Sequence, residues 1–272
     1  MLEQVNINVS QWIENLERKG RISFSLNQLE EELPTYSGVA IRSALKRLSK
    51  KGKIVSFHKG FYLIISAQYA NRGILPAALF MDNLMDYLNR SYYVGLLSAA
   101  ALYGAAHQQP QEYFVITDFP VLRPSNKKGL KVNFISKSNI DSRLLKDRKT
   151  ESGYLKVSSQ ALTASDLVQF EKRCGGITRV AIVLNELIVD MDPMEFDPIF
   201  FNSTPSSVIQ RLGYLIEKVI LNEKLANELF DASKKNGANF LRVPLKASAP
   251  TKGFLSDNRW KVIVNAEIEI DE

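Results

Sequence analysis

The sequence predicts an α+β chain, with a small N-terminal module followed by a larger mixed domain. Three observations predict it. The stretch Ser37–Ile65 reads as a helix followed at once by a tight β-hairpin, with seven basic and no acidic residues from Arg42 to Lys59. A length of 272 residues exceeds one small module, since domains commonly hold about 100–200 residues. The net charge of +6 is also unevenly spread. Residues 1–66 carry +4 and residues 67–150 carry +5, whereas 151–272 carry −3. A localised basic surface favours a polyanion partner, with affinity that falls steeply with salt. A solvated basic face is the plainer alternative.

The rest of the composition narrows the class. Apolar residues make up 45% and charged residues 24%, as in ordinary globular proteins. The single Cys174 excludes an intramolecular disulfide and reads as a small buried hydrophobe. Met1–Leu16 lacks the apolar region of a signal peptide, and no window reaches about 18 apolar residues. A soluble, cytoplasmic protein with no membrane partner is expected.

Ser10 is the expected N-cap of a first helix carrying Trp12, Ile13 and Leu16, stopped by Gly20. Arg21–Phe24 suits a short strand. Ser25 or Asn27 caps a second helix with Leu26, Leu29 and Leu33 on one face, and Pro34 ends it. Ser37 then caps a third helix. Its Ile41, Ala44, Leu45 and Leu48 fall at the i, i+3, i+4, i+7 spacing of a core stripe. Gly52 closes it. Ile54–Phe57 and Phe61–Ile65 form a hairpin about His58-Lys59-Gly60.

This order of helix, strand, helix, helix and hairpin predicts a winged helix-turn-helix over residues 1–66. A helix fits the DNA major groove, and residues near its N-terminal end reach base edges. The expected DNA-facing set is Ser37, Val39, Arg42, Ser43, Lys46, Lys50, Lys53, His58 and Lys59. Arg42 suits a bidentate contact to guanine, Val39 a thymine methyl, and Ser43 a base or phosphate. Lys46, Lys50 and Lys53 suit phosphates, while His58 and Lys59 form the wing tip. Arg47 lies to one flank. The competing reading is a winged helix used for protein contact, with charges that only solubilise.

Ser66–Gly73 (SAQYANRG) breaks the pattern, giving a linker at 67–73 and a second domain at 74–272. There Ile74–Leu88 and Tyr92–Ala106 read as helices, the latter buried. Tyr113–Thr117, Val132–Ile135 and Tyr154–Val157 read as strands. Helices are expected at Ser158–Phe170, Thr178–Val189, from Pro205 or Ser206 onward, and at Leu225–Ala232. Asn239–Leu245 and Trp260–Ile270 close the chain as strands. Arg123–Lys149 holds nine basic and two acidic residues, and either extends a DNA footprint, faces another partner or forms solvated loops.

An enzyme has one place to hide. Asp190-Met191-Asp192, followed by Glu195 and Asp197, could hold Mg²⁺ for a nucleotidyltransferase-like or nuclease-like reaction. A solvated helix end is the alternative, and no Gly-Ser nucleotide-binding turn lies upstream. With only His58, His107 and Cys174, neither a zinc site nor a Cys-His nucleophile is expected. No phosphate-cradling glycine motif occurs. No cofactor and no catalytic residue is expected.

Over nearly its whole length the chain resembles the AbiEi antitoxins of type IV toxin–antitoxin systems. The resemblance rests on ALKRLSKKGKI and KGFYLI, on YYVGLLSAAALYGAA followed by YFVIT, and on QRLGYLIE at Gln210–Glu217. It continues through Pro244-Leu245, Gly253 and RWKVIVN at Arg259–Asn265. It departs where relatives often carry an acidic-arginine pair, since Gln160-Ala161-Leu162 here leads to Asp166. The resemblance implies a non-enzymatic regulator that represses its own operon through operator repeats. It also implies antitoxicity from the second domain against a nucleotidyltransferase-like AbiEii toxin, without obligatory contact. A monomer binding DNA cooperatively, or a weak dimer, is expected.

Overall fold

A computed structural model describes residues 7–105 and 111–270. Met1–Asn6 of the first expected segment, Ala106 of the expected Tyr92–Ala106 helix, and His107 lie outside the described residues.

The first part comprises α1 (Val9–Arg18), β1 (Ser23–Ser25), α2 (Leu26–Glu32), α3 (Gly38–Lys50), β2 (Ile54–His58) and β3 (Phe61–Ile64). The three strands form an antiparallel sheet in the order β1-β3-β2. Ser25 and Ser37 cap α2 and α3 through hydrogen bonds from Gln28 and Ala40. The first cap is Asn8 rather than Ser10. Asn8 and Gln11 exchange side chain-to-backbone bonds in a capping box, which satisfies two orphan amides where Ser10 could serve only one. Trp12, Phe24, Leu29, Ile41 and Leu45 are buried together, with Trp12 edge-on to Phe24 at 5.3 Å. The glycine stop at Gly52 has φ +71°, a conformation that glycine adopts without a Cβ penalty.

A 3₁₀ turn at Ala67–Tyr69 leads to α4 (Ala77–Tyr87), which starts behind Pro76. Next come β4 (Tyr92–Val94), α5 (Leu96–Leu102), β5 (Glu112–Thr117), β6 (Ser125–Lys127), β7 (Leu130–Ser136), β8 (Leu145–Thr150) and β9 (Gly153–Ser158). They build a mixed six-stranded sheet, ordered β6-β7-β5-β4-β9-β8. The expected Tyr92–Ala106 helix therefore divides into a strand and a shorter helix. Tyr92-Tyr93-Val94 pairs with β5 on one side and β9 on the other, and both its faces are buried, Tyr93 in one core cluster and Tyr92 and Val94 in the other. A strand buried on both faces reads as a continuous apolar run, which periodicity cannot tell from a buried helix.

The chain ends in a helical layer: α6 (Gln160–Gln169), α7 (Ile177–Leu187), α8 (Pro198–Ser203), α9 (Ser206–Tyr214) with a π-helical turn at Leu215–Val219, and α10 (Glu223–Lys235). Tyr93, Phe114, Ile116 and Ile135 face this layer. Val94, Val115, Val132, Leu155 and Val157 face the other way, onto α4 and the β2–β3 hairpin.

The two expected terminal strands shrink to β10 (Val243–Pro244) and β11 (Val262–Ile263), paired in parallel. Lys261 takes φ +57°, so the backbone leaves the extended region inside WKVIVN. The alternation of Ala266, Ile268 and Ile270 rests on the main core rather than in a sheet. The basic stretch Arg123–Lys149 is mostly strand, not loop. It also divides, because β6 and β8 are opposite edges of the sheet. Five strand spacings of about 4.8 Å separate those edges.

Candidate nucleic-acid interface

The outer face of α3 follows from its own sequence. At about 100° per residue, Val39, Arg42, Ser43, Lys46 and Lys50 fall within roughly a third of the helix circumference. Ile41 and Leu45 lie opposite and are 1% and 3% exposed, whereas Val39 is 69% exposed. Ser37, Arg42, Ser43, Lys46, Lys50, Lys53, His58 and Lys59 are exposed as well. No acidic residue sits in the first turn of α3. Among the described residues, no ion pair engages Arg42, Lys46, Lys50, Lys53 or Lys59. The set forms an exposed surface of uncompensated positive charge. Arg47 lies on the flank, lining a cleft with Asn8, Tyr36 and Lys51.

Arg42 has a specific neighbour. Its guanidinium lies 3.4 Å from where a side chain on Gly38 would begin. The glycine leaves space for the planar group to rest against the first turn of α3, where it can reach an incoming ligand.

The hairpin is anchored from across the molecule, which the sequence did not reveal. Phe57 packs edge-on against Phe80 of α4 at 4.6 Å, and Phe61 against Tyr87 at 5.4 Å. The Tyr87 hydroxyl donates to the Lys59 carbonyl at 3.0 Å. Gly60, with φ +75°, is needed twice, since a Cβ there would lie 2.5 Å from the Tyr87 oxygen. Hydrophobic packing and one hydrogen bond thus hold His58 and Lys59 at a fixed height beside α3.

Three of the four side chains of the acidic cluster, Asp192, Glu195 and Asp197, accept hydrogen bonds from backbone amides. Asp192 accepts from the Met194 amide at 2.9 Å, and Asp197 from the Phe200 amide at 2.8 Å. Glu195 accepts from the Ala161 amide at 2.9 Å and lies 3.5 Å from Lys146. Asp190 is exposed. Among the described residues, no three His, Cys, Asp or Glu side chains converge as a metal site. Cys174 is 1% exposed, and burial pushes its thiol up to about 12.

The distinctive segments of the second domain turn out to be a clasp. Gln210 donates to the carbonyls of Leu241 and Trp260. Arg211 donates to the carbonyls of Leu245 and Val168, and to the Glu171 carboxylate at 2.6 Å. Gly213 faces the Trp260 ring so closely that a Cβ would overlap it. Glu217 accepts from the Trp260 indole at 2.7 Å and from Arg259 at 3.0 Å. QRLGYLIE and RWKVIVN are therefore two halves of one contact, which ties an irregular tail to α9 and the π turn. Asp166, fully buried, is paired by Lys137 at 2.7 Å and accepts from the Tyr93 hydroxyl at 2.7 Å. Burial first, then the Asp166 charge and hydrogen bond, hold the Tyr93 phenol well above its usual range, so it remains a donor.

No helix among the described residues is long and apolar enough to cross a membrane. The fold is similar to that in the crystal structure of the RV2827C protein from Mycobacterium tuberculosis. The TM-score is 0.65 at 16% identity, covering 93% of this chain and 90% of that one. No curated protein matches the chain. Residues 93–218, from β4 to the π turn that carries Glu217, match the family model of the AbiEi antitoxin C-terminal domain. Over that region, a little under half of its length, the chain is similar to the AbiEi antitoxin C-terminal domain.

Proposed function

We propose that the chain is a cytoplasmic DNA-binding autorepressor and the antitoxin of a type IV toxin–antitoxin system. The N-terminal part is read as a winged helix-turn-helix that recognises operator repeats of its own operon. The second domain, residues 74–272, counters a nucleotidyltransferase-like AbiEii toxin, with or without direct contact. The observation that carries the DNA reading is the division of α3. One side is buried, and the other presents Val39, Arg42, Ser43, Lys46 and Lys50 to solvent without acidic partners.

Major-groove reading falls to Val39, Arg42 and Ser43. Phosphate contacts fall to Lys46, Lys50 and Lys53, with Ser37 at the helix start and His58 and Lys59 at the wing tip. Phosphate contacts set affinity and register, while base-edge contacts discriminate sequence. The chain binds as a monomer with cooperativity along the repeats, or as a weak dimer.

The deciding experiment is a salt-titrated binding assay on DNA upstream of the protein's own gene. The variant Arg42→Ala with Lys46→Ala loses specific binding while keeping its circular dichroism spectrum. Nanomolar binding retained by that variant would remove α3 from the groove. Antitoxicity is tested by co-expression with the neighbouring toxin gene. The double variant keeps toxin neutralisation if the two roles are separate.

A further inference from the structure

We infer that the cleft between the β2–β3 hairpin and the β5–β6 connection binds a nucleotide, with its base on an apolar floor and its phosphates at a basic rim. The cleft measures about 440 Å³ and lies between Ser56–Lys59, α4 and residues 121–127. That size falls within the range of small-molecule sites, about 300–1,000 Å³. Its accessible apolar floor is Leu88 and Phe134, both half-buried, resting on the buried Phe57 and Leu84. Its rim is His58, Lys59, Arg123 and Lys127, and no acidic residue lines it. Among the described residues, Lys59, Arg123 and Lys127 have no ion-pair partner.

Both walls are preformed. Tyr87 holds the hairpin through the Lys59 carbonyl at 3.0 Å. Arg90 holds the opposite wall by donating to the carbonyls of Asp118 at 3.0 Å and Pro120 at 2.7 Å. Charge complementarity selects the occupant. An apolar ligand has no use for three cations, and inorganic phosphate has no use for the floor. A DNA backbone crossing the rim would leave the floor empty. A nucleotide uses both, since a base stacks on aromatic and aliphatic carbon while its phosphates take the charge.

The test is isothermal titration of the full chain with ATP, GTP and inorganic tripolyphosphate, in the absence of DNA. It is therefore independent of the operator assay. The expected result is saturable one-to-one binding of at least one nucleotide. That binding should be about tenfold tighter than tripolyphosphate, the increment that stacking supplies. Arg123→Glu with Lys127→Glu should weaken it by about 100-fold, two charge-assisted contacts at roughly tenfold each. Val121→Asp, at the exposed lip, gives a second variant should the first fail to fold. Absence of nucleotide binding overturns the inference, as does equal affinity for tripolyphosphate or undiminished binding in a folded variant.

Discussion

Lys137 and Asp166 form a pair whose partners cannot be removed singly. Asp166 is fully buried and Lys137 nearly so. Lys137→Met leaves a buried carboxylate without its cation, which costs about 3–5 kcal/mol. Replacing both, Lys137→Met with Asp166→Leu, is expected to recover most of that loss, and urea unfolding of the three variants measures the coupling. Glu217 offers a pH test. Burial pushes its carboxyl up, but hydrogen bonds from Lys218 and Trp260 and the Arg259 charge outweigh burial, so its pKa lies below 4.5. A depressed carboxylate stabilises the fold above its unfolded value, and that contribution disappears as pH falls through the folded value. Glu217→Gln should therefore lower the melting temperature at neutral pH, with the gap to the parent closing as pH falls below the ordinary glutamate range. Gly38 separates folding from binding. Its φ is not in the left-handed region, and Gly38→Val costs the helix little. A Cβ there meets the Arg42 guanidinium at ordinary contact distance, so it is the two further methyls of Val that crowd it, and operator affinity should fall while the melting temperature holds.

Among the elements, the β2–β3 hairpin and α9 each depend on a glycine that faces a large aromatic ring. Gly60→Val adds a left-handed backbone penalty of about 1–2 kcal/mol to the clash with Tyr87. The hairpin should detach from α4 first, shown by faster amide exchange at Phe61–Ile64 than in α6. Gly213→Ala presses on Trp260, and overpacking of this kind costs about 1–3 kcal/mol. The π turn at Leu215–Val219 brings Glu217 under the Trp260 indole. None of these dependencies shows in sequence periodicity, which reports the face a residue lies on but not the ring across from it.

The molecule as a whole has a core that runs across the expected linker. Phe57, Phe61, Leu63 and Ile65 pack in one cluster with Ile74, Phe80, Met81 and Leu84. Phe80→Ala, in that cluster, should cost about 3–5 kcal/mol and also weaken operator binding by freeing the hairpin. A point variant is thus a cleaner probe of role separation than truncation at residue 66, which would expose Phe57 and Phe61. If five to seven phosphates are contacted, the slope of log affinity against log salt should be about −4.5 to −6.3.

Much of this was legible in the amino-acid order alone. The caps at Ser25 and Ser37, the core stripe of α3, the exposure of all nine expected contact residues and the strands β5, β7 and β9 follow from local rules. Those rules act within a few residues: side chain to nearby amide, i to i+4, or alternation along a strand. Other features required the folded chain. Tyr92–Val94 became a strand because β5 and β9 bond it on both sides, and the terminal strands shrank to two residues each, with Gln210, Arg211 and Glu217 holding the rest of the tail. The acidic cluster became a row of caps, and the basic stretch was split between opposite sheet edges. Apart from the local caps made by Asp192 and Asp197, the deciding partner in each case lies tens of residues away in sequence. Local propensity cannot name such a partner, because tertiary packing chooses it.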